Sequence, residues 1–202
     1  MIISKYKSEE RQFKLWDEPL GNHGHVRTVI GELAEELTSN LVKGRRHKTQ
    51  SNADYCPDVS ADGEYFESKV VGRSKTAFVY SGRVEKDRRF VAEGNRLFYV
   101  VWSHSADTKQ AKFIEELRQI VLANMQAVYV VPFIAIDELC RSSSEEKLNS
   151  KYGRSHDGTL YGSGFRLHLS LLEKWIKDQW LFGLSFAPGL FTVGERSIHC
   201  EG

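Results

Sequence analysis

The chain has 202 residues, and its 41% hydrophobic and 27% charged residues are proportions typical of a folded globular protein. Lysine and arginine number 28 and aspartate and glutamate 27, so the formal net charge is +1 and any nucleic-acid-binding surface must be local. Three widely spaced cysteines argue against a disulfide framework and a structural zinc site. The polar N-terminal sequence resembles no signal peptide, and no apolar run reaches membrane-spanning length. We therefore expect a cytoplasmic protein with no membrane segment.

The first firm element is a helix predicted over residues 26–43, where apolar residues recur at helical spacing. Gly44 follows as a helix stop. Residues 1–25 have weak periodicity and are predicted to form an N-terminal arm.

A β-hairpin is predicted next, from a strand at 56–60 and a second strand at 64–71. Asp62-Gly63 between them is typical of a tight turn. The following residues, 72–94, are read as a long polar segment dense in basic residues.

The remaining predicted elements alternate between strand and helix. They are, in chain order, a buried strand at 96–102, a helix at 108–124, a buried strand at 127–133, a short helix at 134–140, a hydrophilic linker at 141–159 and a helix at 167–181. This order predicts an α/β fold with a mixed central sheet and helices on both faces. We expect a single domain in which residues 26–133 form the core and residues 134–202 a C-terminal extension.

Three charged residues of the hairpin are predicted to converge. Glu67 and Lys69 are two apart in a strand and share a face, whereas Ser68 points to the opposite face. Asp58 can lie across the hairpin from them. Two carboxylates suit Mg²⁺, and a lysine beside a metal-bound water can orient or deprotonate it, so the cluster predicts phosphodiester hydrolysis.

The helix before the hairpin contains further carboxylates. Glu32 and Glu35 are three residues apart and share a helix face, so either could reach the metal pocket. The alternative is that both belong to a solvated helix face.

Pro57-Asp58 followed by Glu67-Ser68-Lys69, with Gly31-Glu32 in the preceding helix, resembles the PD-(D/E)XK nuclease superfamily. The resemblance implies a restriction-endonuclease-like core and a single nuclease domain. It also implies that Asp58, Glu67 and Glu32 ligate metal, that Lys69 assists the attacking water, and that Glu32 or Glu35 completes the metal shell.

Basic residues precede and follow the hairpin, as a phosphate-backbone contact requires. The candidates for DNA contact are Arg45, Arg46, Lys48, Arg73, Lys75, Arg83 and Lys86. The alternative is a solvated segment whose charge is partly cancelled by neighbouring acids.

These features together predict a Mg²⁺-dependent endodeoxyribonuclease in which Mn²⁺ can substitute, acting on DNA as a homodimer. The Gly-Glu helix favours cleavage of branched DNA, as by a Holliday junction resolvase from a phage or mobile element. The residues after 133 favour the alternative, a sequence-specific type II restriction endonuclease. A non-catalytic nucleic-acid-binding module is a further alternative.

Overall fold

The predicted first helix is present and begins earlier than expected. The computed structural model describes residues 18–21, 23–47, 55–147, 163–181 and 190–192. Helix α1 spans His23–Leu41, so its start lies inside the predicted N-terminal arm. After the helix, Lys43 has a left-handed backbone with φ 51°. A Cβ at Gly44 would lie 2.6 Å from the carbonyl oxygen of Ser60, so glycine allows this close approach to the hairpin.

The predicted hairpin forms, with its first strand shorter than expected. Strands β1 (Arg45–Arg46), β2 (Val59–Ala61) and β3 (Glu64–Val71) pair antiparallel. Asp62 has φ 50° and Gly63 has φ 79°, as a two-residue type I′ turn requires. This turn fixes the register in which Val59 lies opposite Phe66.

A six-stranded sheet is the centre of the fold, in the order β1-β2-β3-β5-β6-β9. The added strands are β5 (Arg96–His104), β6 (Met125–Pro132) and β9 (Leu190–Thr192). Strand β5 runs parallel to β3, whereas β6 and β9 join antiparallel. The mixed sheet of an α/β fold is therefore confirmed, and the apolar run of β5 is explained by burial on both faces of the sheet.

The segment 72–94, read as a long polar stretch, is instead strand β4 (Thr76–Tyr80) followed by helix α2 (Ser81–Ala92). In β4, Ala77 and Val79 are buried at alternate positions. In α2 the buried residues are Val84 and the charged Asp87. The prediction was wrong because the inward face of this helix includes a carboxylate, which conceals its apolar periodicity.

A second, three-stranded sheet has the order β4-β8-β7, with β7 (Glu146–Lys147) and β8 (Ser163–His168). Strand β7 lies within the predicted hydrophilic linker, and the rest of that linker from residue 148 lies outside the described residues. The remaining helices are α3 (Ile114–Ala123), α4 (Phe133–Ser142) and α5 (Leu169–Leu181).

The helices cover both faces of the central sheet. On one face, Val29 and Leu33 of α1 pack with Leu117 and Val121 of α3. On the other face, α4, α5, β4 and β8 form one apolar cluster with alternate residues of β3, β5 and β6. The segment after residue 133 thus shares a core with the sheet. Within the described part of the chain, no helix has the length and apolar character needed to cross a bilayer.

Candidate active site

Strand alternation places Glu67 and Lys69 on one face of the sheet, as predicted, and this face points away from α1. The Lys69 ammonium donates to Oε1 of Glu67 at 2.6 Å. Ser68, between them, points to the other face, where its hydroxyl donates to the hydroxyl of Thr38 in α1 at 3.0 Å. The Glu67 side chain is 4% exposed and that of Lys69 25%, so the pair lies at the edge of a buried region.

Asp58 lies directly before β2 and joins the same cluster. Its Oδ2 accepts a hydrogen bond from the backbone N–H of Ser68 at 2.7 Å. The register of the hairpin continues to bring Asp58 opposite Glu67. Burial and, after it, the charge of Glu67 raise the pKa of Asp58 to about 7. Two carboxyl groups therefore compete for ionisation at this point of the sheet.

Glu67 and Lys69 are held in their charged forms by each other. Burial opposes ionisation of Glu67, but the charges of Lys69 and Arg83 outweigh it and hold its pKa below the usual range. Burial alone would lower the pKa of Lys69, yet the carboxylates of Glu67 and Asp58 raise it. The ammonium form of Lys69, which donates hydrogen bonds, is therefore favoured.

Arg83 from α2 contacts the second oxygen of Glu67, a contact that the sequence analysis did not predict. Its Nε donates to Oδ1 of Asp87 at 3.1 Å, and its guanidinium lies 4.5 Å from the ring centroid of Tyr55. Asp87 has no exposed surface and also accepts hydrogen bonds from the hydroxyls of Tyr55 and Tyr99. A continuous network therefore runs from Lys69 to the interior of the protein.

The electrostatics of this inner part of the network favour neutral tyrosines. Burial raises the pKa of the Tyr55 and Tyr99 hydroxyls far above their usual value, so both remain donors. Burial also raises the pKa of Asp87, although the charge of Arg83 and the two hydroxyls favour its ionised form. The network thus holds Arg83 through contacts additional to the one with Glu67.

Glu32 and Glu35 differ in their position relative to the hairpin because of the rotational orientation of helix α1. Glu35 is near enough to Asp58 to raise its pKa, and Oε2 of Glu35 accepts a hydrogen bond from Arg46 at 2.8 Å. Glu32 is exposed, and within the described part of the chain no hydrogen bond or ion pair joins it to Asp58 or Glu67. Glu36 pairs with Arg118 of α3 at 2.8 Å, away from the hairpin. Of the two predicted glutamates, the structure brings only Glu35 toward Asp58.

Asp58 and Glu67 provide the donor set that a hard divalent cation needs, although it is a small one. Mg²⁺ is commonly held by one or two carboxylates with water filling the other positions. The pKa of Asp58 is raised first by burial and then by the charge of Glu67, and a cation beside both carboxylates would favour their ionised forms. Among the described residues, however, no group of three or more His, Cys, Asp or Glu side chains is placed to hold a metal. The fit therefore depends on this carboxylate pair and on coordinated water.

The predicted DNA-contacting residues divide into three groups. Arg45, Lys75 and Lys86 are exposed. Three others form ion pairs within the protein: Arg46 with Glu35, Arg73 with Asp107 at 3.4 Å, and Arg83 with Glu67 and Asp87. Lys48 lies outside the described residues. The Arg83 side chain is thus part of the cluster itself.

Comparison with known proteins gives no identification. No protein-family model matches the chain, and no curated protein sequence matches it significantly.

Proposed function

We propose that this protein is a metal-dependent endonuclease that hydrolyses DNA phosphodiester bonds with Mg²⁺. The observation that carries the proposal is the convergence of Asp58, Glu67 and Lys69, with Lys69 and Glu67 2.6 Å apart and Asp58 fixed by the Ser68 amide. The order of an acid, any residue and a lysine on one strand places both groups on one face, as this chemistry requires.

Each residue has a defined part in this proposal. Asp58 and Glu67 would hold the metal, and Glu35 would contact its water shell from helix α1. A bound Mg²⁺ would neutralise charge on the scissile phosphate and lower the pKa of a coordinated water. Lys69, as an ammonium group, would orient the attacking water and offset the negative charge that develops on the phosphate.

Binding of DNA would use the exposed cations near the hairpin. Arg45 adjoins β2 through strand pairing, and Lys86 lies on α2, one turn from Arg83. Such contacts give affinity without reading the sequence. We further propose a cytoplasmic homodimer, because two matched sites are the simplest means of cutting both strands of a duplex. Branched DNA is the favoured substrate, with a short duplex sequence as the alternative.

The test is DNA cleavage by the full chain in Mg²⁺ or Mn²⁺, with supercoiled plasmid, plain duplex and a four-way junction as substrates. We expect cleavage that Asp58→Ala abolishes and that Lys69→Ala reduces about a hundredfold or more. Lys112→Ala, which removes an exposed lysine just before α3 on the α1 side of the sheet, is the control and should leave the rate unchanged. Selective cutting of the junction would support the resolvase subtype, and discrete plasmid fragments would support the restriction subtype.

If no substrate is cut in either metal, the enzyme proposal fails. Binding of the same substrates, measured by gel shift, would then support a non-catalytic nucleic-acid-binding module. Equal activity of the wild type and the Lys69→Ala variant would also contradict the assigned site.

A further inference from the structure

Arg83 contacts Glu67, and a carboxylate can bind a metal ion only through an oxygen that is free to coordinate it. Lys69 binds Oε1 of Glu67, and Arg83 binds Oε2. Both oxygens of Glu67, one of the two carboxylates that would hold the metal, are therefore already paired with cations.

Arg83 is also anchored independently of Glu67. Its Nε donates to Asp87 at 3.1 Å, and its planar guanidinium stacks near the Tyr55 ring. Asp87 is itself fixed by the Tyr55 and Tyr99 hydroxyls. The guanidinium could thus lose its contact with Glu67 and still remain beside the site, because Asp87 is held by hydrogen bonds that do not involve Glu67.

We propose that Arg83 competes with the divalent metal for Oε2 of Glu67 and so lowers the affinity of the site for metal in the absence of DNA. This inference rests on the proposed metal-dependent function. When Glu67 is released, the Nη atoms of Arg83 become available to a phosphate oxygen, for which the guanidinium is well suited. Arg83 would then link metal binding to substrate binding.

A role in positioning alone has the opposite consequence. If Arg83 only held Glu67 in a productive orientation, its removal would weaken metal binding. If it competes with metal, its removal strengthens metal binding, because a unit positive charge next to the metal is lost. The sign of the change in metal affinity separates the two roles without any measurement of DNA cleavage.

The experiment is a titration of the DNA-free full chain with Mn²⁺ alone, and separately with Mg²⁺ alone. Metal binding is measured by calorimetry and by the shift in Tm. For Arg83→Gln we expect metal binding tighter than in the wild type by on the order of tenfold. The increase in Tm at a fixed metal concentration should be correspondingly larger. Unchanged or weaker binding would overturn the inference.

Two further variants serve as controls for this experiment. Arg83→Gln leaves Asp87 buried without its cation, so the double variant Arg83→Gln with Asp87→Asn restores charge balance. It still frees the Glu67 oxygen and should bind metal more tightly than the wild type, by less than Arg83→Gln alone. Arg88→Gln is the matched control, because Arg88 is on the same helix and pairs at 2.7 Å with Asp137 outside the cluster. Its metal affinity should equal that of the wild type.

The outcomes distinguish this inference from the proposed function. If the wild type binds metal, Asp58→Asn weakens binding and neither Arg83 variant strengthens it, only the role of Arg83 is refuted. If neither the wild type nor any Arg83 variant binds metal, the metal-dependent function and the role of Arg83 both fail.

Discussion

Strand β3 separates a neutral face, packed against helix α1, from a charged face that contains the candidate active site. On the neutral face, Thr38 accepts hydrogen bonds from the Ser68 hydroxyl and the Trp102 indole N–H, each at 3.0 Å. On the charged face, Glu67 lies between two cations and close to a second carboxyl group. On each face the polar side chains named above are hydrogen-bonded, but only the charged face places two carboxyl groups close together. That arrangement lowers stability and is characteristic of functional sites.

The largest effect on stability is expected from Asp87→Ala. Asp87 accepts hydrogen bonds from Arg83, Tyr55 and Tyr99, so its removal leaves a partly buried cation and two hydroxyls without their acceptor. We expect a loss of about 3–5 kcal/mol in the free energy of unfolding, measured by urea denaturation.

The control for this prediction is Asp137→Ala. Asp137 also pairs with two arginines, Arg88 and Arg141, but Arg141 is 68% exposed and is solvated when its partner is removed. Its loss should cost about 1 kcal/mol or less. Equal losses in the two variants would mean that the inner network contributes no more than the ion pairs of Asp137, whose arginine partners reach solvent.

The second prediction concerns the pH dependence that Asp58 imposes on the charged face. Its pKa is raised to about 7 in the folded protein, so between pH 4 and pH 7 the folded state binds more protons than the unfolded state. The contribution of Asp58 to stability therefore falls as the pH rises through this interval. Asp58→Asn removes the effect and should be more stable than the wild type at pH 8 by up to about 4 kcal/mol.

Unfolding of both proteins in EDTA, at pH 4 and at pH 8, measures this difference. The advantage of the variant should shrink toward zero at pH 4, where the side chain is neutral in the folded wild type. If the variant is less stable than the wild type at pH 8, ionised Asp58 does not destabilise the folded protein. The prediction that burial and the charge of Glu67 raise the pKa of Asp58 would then be wrong.

The sequence predicts the outer part of the candidate site because that part depends on local rules. Strand alternation places Glu67 and Lys69 on one face, and the Asp62-Gly63 turn fixes the register that brings Asp58 toward them. These relations need only a hairpin and its period of two. The α/β order is likewise predictable, since strands β5 and β6 are continuous apolar runs.

The inner part of the site could not be predicted by the same rules. Tyr55, Arg83, Asp87 and Tyr99 come from three separate segments, which meet only because β4 and α2 connect two parallel strands. A charged residue on a helix normally indicates a face exposed to solvent. For this reason helix α2 was not predicted. The available signal was the spacing of Val84, Asp87 and Phe90, which places the carboxylate within an apolar helix stripe.

The smallest effect is expected on the neutral face, from Thr38→Val. The substitution preserves the shape of the side chain but removes the hydrogen-bond acceptor for Ser68 and Trp102. It should therefore lower the free energy of unfolding by about 1–3 kcal/mol. Urea denaturation measures the loss, and Thr38→Ser, which keeps the hydroxyl, should recover most of it.

Glu35 lies one turn before Thr38, so a shift of α1 would also move Glu35 away from Asp58 and lower the pKa of Asp58. If Thr38→Val lowers stability equally at pH 4 and pH 8, the helix keeps its phase and the two faces of β3 are energetically independent. A loss that depends on pH would show that the neutral face positions the charged one.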